Sequence, residues 1–132
     1  MKKYKLWYTQ EAPFGNEHCF TSHDIGYVLD DGWERWSLPI GNGYMGVNVF
    51  GRTVTERLQI TENSLFNPMD SGGLNNFCEL YLDFAHHQVS NYRRELDLDR
   101  AVATTQYDFN GVTYKREHFT SYPDRIFVTR LT

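Results

Sequence analysis

Short runs of β-branched and aromatic residues recur along the chain, each closed by a turn signal, and no segment repeats apolar residues at helical spacing. Lys3 to Thr9 (KYKLWYT) alternates loosely and reads as a first strand. Tyr44 to Phe50 (YMGVNVF) reads as a second, bounded by Gly43 and Gly51. Val54 to Ile60 follows after a reversal at Gly51-Arg52. Phe77 to Phe84 (FCELYLDF) alternates so that Cys78, Leu80, Leu82 and Phe84 share one face. Ile126 to Leu131 reads as another strand, entered through Ser121-Tyr122-Pro123-Asp124. Residues 11 to 32 and 67 to 76 are rich in turn formers and read as irregular.

The sharpest local signal is Asn110-Gly111. Asn-Gly supplies positive φ at both centres of a type I′ turn, whose twist suits two antiparallel strands. A two-residue loop then pairs Phe109 with Val112, Asp108 with Thr113 and Tyr107 with Tyr114. That register puts Tyr107, Phe109, Val112 and Tyr114 on one face and Asp108 and Thr113 on the other. Many short strands separated by turns make the chain all-β, a sandwich or a barrel.

The 132 residues suffice for a hydrophobic core without metal or disulfide staples. Aromatics reach 16%, which suits pleated half-buried surfaces first, as a sandwich core, and flat ligands such as sugars second. Net charge is −4, and cations cluster only at Lys2-Lys3 and Arg93-Arg94, so a nucleic-acid footprint is not expected. No apolar run is long enough to cross a membrane as a helix. The lysines near the N-terminus precede no apolar h-region, so the expectation is a cytoplasmic protein, or a secreted one whose leader has been removed. Cys19 and Cys78 lack metal-ligand spacing, and the adjacent His86-His87 would point to opposite faces of a strand. No metal or cofactor is expected.

Residues 32 to 51, GWERWSLPIGNGYMGVNVFG, concentrate two Trp, a Pro and five Gly. Pro39 fixes φ, Gly41 and Gly43 permit unusual backbone or close approach, and Asn42 carries a short amide able to bind backbone or ligand. Two readings compete for Pro39 to Gly43. It is a tight connection with Trp33 and Trp36 packed beneath it, or a loop shaped to hold or reach something beyond itself.

In the order they occur, WSLPIGNGYMGVNVFG, ERLQITENSLF, LYLDF and YRRELDLDRAVATTQYDFNGVTYKREHFTSYPDRIFVTRLT resemble the N-terminal β-sandwich of glycoside hydrolase family 95, the inverting α-L-fucosidases. The resemblance runs from Trp33 to Thr132. Leu38 to Gly43 match the family's Leu-Pro-x-Gly-Asn-Gly turn. Glu62 and Leu65 match its Asn-Glu-Asp-Thr-Leu-Trp segment, whereas Thr61 and Phe66 replace the Asn and the Trp.

The resemblance implies an antiparallel β-sandwich followed by an α-helical linker, a catalytic (α/α)₆ barrel and a C-terminal β domain. Residues 1–132 would then be the first part of a longer sandwich, with the catalytic groups in a barrel outside this chain. It implies a glycan substrate handled by that downstream barrel, and contact between sandwich and barrel. Trp33, Trp36, Asn42, Glu62 and Phe66 are the candidates for substrate binding or that interface. Glu34, Glu62, Asp70, Glu79 and Asp83 lie near Gly- and aromatic-rich segments, where solvated or hydrogen-bonded structural roles are the first expectation. The alternatives are a stand-alone carbohydrate-binding sandwich and a purely structural domain. An exposed apolar patch containing Trp33, Trp36 or Phe66 would point to a missing partner domain.

Overall fold

The computed structural model describes residues 4–14, 32–65 and 76–132. They form nine strands: β1 (Lys5–Tyr8), β2 (Leu38–Gly41), β3 (Met45–Val49), β4 (Thr55–Glu62), β5 (Asn76–Asp83), β6 (Ser90–Asp97), β7 (Val102–Phe109), β8 (Val112–Ser121) and β9 (Ile126–Leu131). A five-residue helix, α1 (Gly32–Trp36), precedes β2, and a 3₁₀ turn at Asn63–Leu65 follows β4. All pairings are antiparallel and build two sheets, ordered β1-β6-β7-β8-β9 and β2-β3-β4-β5.

The β7–β8 hairpin forms in the register that Asn110-Gly111 dictates, with Phe109 opposite Val112 and Tyr107 opposite Tyr114. Asn110 and Gly111 adopt φ of 49° and 78°, the positive values that a type I′ turn needs. β3, β4, β5 and β9 fall where alternation placed them. Two strands escaped that reading. Leu38–Gly41 is a strand and not part of a turn: Pro39 has no N–H to give, but β2 is an edge strand, where Pro is tolerated. β6 is heavily charged, because Arg93 and Glu95 pair on the outer surface while Arg94 points inward and is buried.

The sheets face each other across a core of Leu38, Ile40, Val47, Val49, Leu58, Ile60, Leu96 and Ala103. Cys78, Leu82 and Phe127 pack against its edge. On the 4-stranded sheet these side chains stand in rows, Leu38–Val49–Leu58–Leu80 and Ile40–Val47–Ile60–Cys78, as period-2 geometry requires. Two antiparallel sheets with apolar inner rows make this a β-sandwich.

Candidate functional site at one end of the sandwich

Asn42 and Glu62 are twenty positions apart in sequence, yet register brings them together. β3 pairs with β4 so that Met45 faces Glu62, and the Asn63 amide donates to the Tyr44 carbonyl at 2.9 Å. The Asn42 side chain closes the β2–β3 turn: its Oδ1 accepts from the amides of Tyr44 at 2.9 Å and Met45 at 2.8 Å. Its Nδ2 donates to the Ser121 carbonyl at 2.6 Å, tying this turn to the β8–β9 connection of the other sheet. Gly43 has φ +83° and open space where a side chain would be, so it is there for its backbone. Gly41 and Gly46 have the other use: a Cβ would lie 3.1 Å from the Met45 carbonyl oxygen or from Thr61 Oγ1, respectively.

Glu62 sits at the mouth of this turn. Its carboxylate accepts from the Ser64 amide at 3.0 Å and from the Ser64 hydroxyl, capping the 3₁₀ turn. Those Ser64 bonds, joined by the Tyr44 hydroxyl and the Arg125 charge, hold its pKa below the usual carboxylate value. The Arg125 guanidinium lies 4.9 Å from the centre of the Tyr44 ring, and Arg125 itself takes a positive φ of 53°. A shallow depression of about 240 Å³ opens beside the turn, lined by Gly43, Tyr44, Met45, Gly46, Thr61 and Asn63. Leu65, Tyr122 (72% exposed) and Ile126 surround this end as exposed apolar side chains. The site therefore offers a fixed, ionised acceptor on a rigid turn, with aromatic and apolar surface around it. A carboxylate held ionised accepts hydrogen bonds from hydroxyls; it does not serve as a general acid.

Trp36 does not join this site. Its carbonyl accepts from Arg94 Nη1, which puts it beyond the start of β2, at the opposite end of the strand from Asn42, with its side chain half-buried. Trp33 lies in α1 at that same far end. Phe66, Asp70 and Cys19 lie outside the described residues. Tyr44, Ser64 and Arg125 were not singled out from sequence. Only the register of β3 on β4 and the reach of Asn42 to Ser121 reveal them.

The far end is polar too, but closed. Glu56 is fully buried, and its Oε1 accepts from the amides of Gly51 at 2.7 Å, Arg52 at 3.3 Å and Arg57 at 3.1 Å. Burial pushes its carboxyl up, against the pull of Arg116, whose Nη1 lies 3.3 Å from Oε2 without hydrogen-bond alignment. Arg94 donates to the carbonyls of Gln10 at 3.1 Å and Phe50 at 3.2 Å. Arg52 donates to the carbonyls of Ala12 at 3.2 Å and Pro13 at 2.7 Å, and Glu11 holds Thr53 by its amide and hydroxyl. These arginines therefore fasten residues 10–13 onto the β3–β4 loop. Gly51 is required there twice: φ is +74°, and a Cβ would fall 2.9 Å from the Tyr92 hydroxyl and 3.0 Å from Thr105 Oγ1.

Glu79, Asp83, Glu95 and Glu117 are held by partners within the fold. Burial raises the Glu79 carboxyl, but Arg57, Tyr81 and Gln59 together bring it below its ordinary value, and Arg57 grips it with two 2.7 Å hydrogen bonds. Thr55 donates to Asp83 at 2.6 Å. On the outer surface of the 5-stranded sheet, Glu95 and Glu117 lie in one row on either side of Thr104. Hydrogen bonds from Lys5 to Glu95, and from Arg130 and Lys115 to Glu117, keep both pKa values low. Lowered pKa values suit neither carboxylate to act as a general acid. Among the described residues no three His, Cys, Asp or Glu side chains converge as a metal site.

Comparison with known proteins places this geometry in a family. The chain matches the family model described as "Glycosyl hydrolase family 65, N-terminal domain" over residues 6–72 and 67–132. It is 26% identical over 137 residues to Alpha-L-fucosidase 2 of Arabidopsis thaliana, a match that covers 72% of this chain and 16% of that relative. The chain thus spans a small part of the length of the curated relative. With an antiparallel sandwich whose Leu-Pro-Ile-Gly-Asn-Gly segment forms β2 and its locked turn, and with the family model covering it nearly throughout, this chain belongs to the glycosyl hydrolase family 65 N-terminal domain family.

Proposed function

We propose that the chain is the N-terminal sandwich of an inverting, family 95-type α-L-fucosidase, and that its Asn42–Glu62 end contacts a downstream (α/α)₆ barrel and lines that barrel's glycan site. The observation that carries this reading is Glu62 itself, held ionised by Ser64 on a turn that Asn42 locks to both sheets. A sugar presents hydroxyl donors, and a prearranged acceptor binds them without the entropy cost of ordering a loop. Exposed Leu65, Tyr122 and Ile126 beside it suit burial against a partner domain. On this reading the catalytic acid and base belong to the barrel, and the lowered pKa values of Glu62, Glu95 and Glu117 make these side chains poor proton donors.

The test is turnover of an aryl α-L-fucoside. The full-length gene product hydrolyses it with inversion, whereas the purified 132-residue chain does not. Activity in the short chain, or hydrolysis by the full-length product of a different glycoside in preference to the fucoside, overturns the reading.

A second reading, direct sugar binding by the sandwich alone, rests on Trp7, which is 54% exposed on the edge strand β1 beside Glu95 and Arg93. The Arg93 guanidinium already lies 4.8 Å from the ring centre of Trp7, occupying one of its stacking faces. Titrating the isolated chain with a fucosylated oligosaccharide while following Trp fluorescence separates the two readings.

A further inference from the structure

The sequence contains two Asn-Gly pairs, Asn42-Gly43 and Asn110-Gly111, each in a tight turn between antiparallel strands. Asn-Gly is chemically the most vulnerable dipeptide for side-chain amide loss, because a glycine nitrogen meets no side chain of its own on approach. In the fold the two pairs stand in opposite environments. The Asn42 amide makes three hydrogen bonds, two at Oδ1 and one at Nδ2, and its own backbone N–H donates to the Met45 carbonyl at 3.1 Å. The Asn110 side chain is exposed and makes no hydrogen bond to any described residue. The two-residue loop leaves the Gly111 amide outside the Phe109–Val112 pairing, and open space surrounds Gly111 within 4 Å of where a Cβ would be.

From this contrast we infer that Asn110 is a site of spontaneous, self-timed modification in the folded protein, and that Asn42 is protected from the same reaction. Base removes the Gly111 amide proton, and the nitrogen attacks the Asn110 side-chain carbonyl carbon. The new C–N bond replaces the bond to the amide nitrogen, which leaves as ammonia, and a cyclic imide results. Water then opens either carbonyl of the imide, yielding aspartate at 110 or an isoaspartate whose side-chain carbon has entered the backbone. At Asn42 the same attack must tilt the amide out of the plane that its three hydrogen bonds fix, and must free a nitrogen held by Ser121.

The product changes the fold at one place. Isoaspartate lengthens the backbone of the loop, so the paired positive-φ conformation of Asn110 and Gly111 no longer fits between Phe109 and Val112. Either product adds a negative charge at the tip of a hairpin that already carries Asp108.

The experiment is incubation of the folded chain in mildly alkaline buffer, followed by digestion and mass spectrometry of the peptides carrying Asn42 and Asn110. The Asn110 peptide is expected to gain the mass of an amide-to-acid exchange and to split into aspartyl and isoaspartyl forms. Its rate in the folded chain exceeds that of the Asn42 peptide by about tenfold or more. In strong urea the two peptides convert at similar rates, because the hydrogen bonds that shield Asn42 are gone. The variant Asn110→Gly keeps a residue at ease with positive φ and abolishes conversion at the hairpin. The inference is overturned if Asn110 stays intact in the folded chain while the urea-unfolded chain reacts there. Conversion of Asn42 as fast as Asn110 in the folded chain overturns it as well.

Discussion

The two ends of the sandwich use the same chemistry to different effect. Around Glu56 the polar groups are buried, and most are spent on backbone: Arg94 and Arg52 on carbonyls of residues 10–13, Glu56 on three amides of one loop. Around Glu62 the polar groups fix a turn equally firmly, but the carboxylate and the Tyr44–Arg125 stack stay at the surface. Buried charge that satisfies its own chain is architecture. Prearranged charge left at a rim, with exposed Tyr122 and Leu65 beside it, stays open to solvent. The same residue types thus separate into structure and candidate function by where register places them.

The comparison is broken most easily at the closed end. Glu56→Gln removes the carboxylate that faces buried Arg116, and loss of one member of a buried pair costs about 3–5 kcal/mol. Urea unfolding measures it; a loss below about 1 kcal/mol, the size of an exposed pair, contradicts a buried role for this carboxylate.

A matched pair of glycines sharpens the contrast. Gly51→Ala and Gly43→Ala both force an L-residue into positive φ, at about 1–2 kcal/mol. Only at Gly51 does the new methyl also strike Tyr92, Thr105 and Arg94, adding about 1–3 kcal/mol of overpacking. Equal losses at the two positions would mean that the closed end yields as readily as the open one.

Acid separates the interior from the surface next. Burial, assisted by the Arg116 charge, depresses the His118 pKa to about 3 from its ordinary 6.5. Below pH 6.5 the unfolded chain therefore takes up a proton that the folded chain refuses, and stability falls as pH falls. The loss reaches about 2 kcal/mol by roughly pH 5, and His118→Gln flattens this slope. Glu56 works in the reverse direction above pH 4.5, because its raised pKa lets the folded state bind a proton before the unfolded chain does.

Matching Gly43→Ala in size is Asn42→Ala, which gives up three hydrogen bonds from a half-buried amide to backbone and costs about 1–2 kcal/mol by thermal melting.

Much of the strand layout was legible because alternation and turn chemistry are local. Asn110-Gly111 determined a hairpin register that the structure reproduces pair by pair. β6 was illegible because Arg94 counts as polar in any hydropathy pattern, although its guanidinium is desolvated among the backbone carbonyls of Trp36, Phe50 and Gln10. β2 was hidden behind Pro39 and Gly41, whose turn signature is cancelled by an edge position and by close approach to Met45. The site was legible in part. Asn42 and Glu62 stood out by motif, but their meeting depends on the β3–β4 register, and Tyr44 and Arg125 carry no sequence signal of their own. Trp36 looked like their neighbour because it is close in sequence, whereas the length of β2 carries it to the other end.

The central claim is the proposal that the Asn42–Glu62 end serves the active site of a longer fucosidase-type protein, whereas the Glu56 end serves the fold. Its most direct test is Glu62→Gln in the full-length gene product, assayed for kcat/KM on an aryl α-L-fucoside alongside its melting temperature. The account predicts an unchanged melt and a fall in kcat/KM of about tenfold or more. Full activity with an unchanged melt would contradict it, and would leave the open end of the sandwich without a part in catalysis.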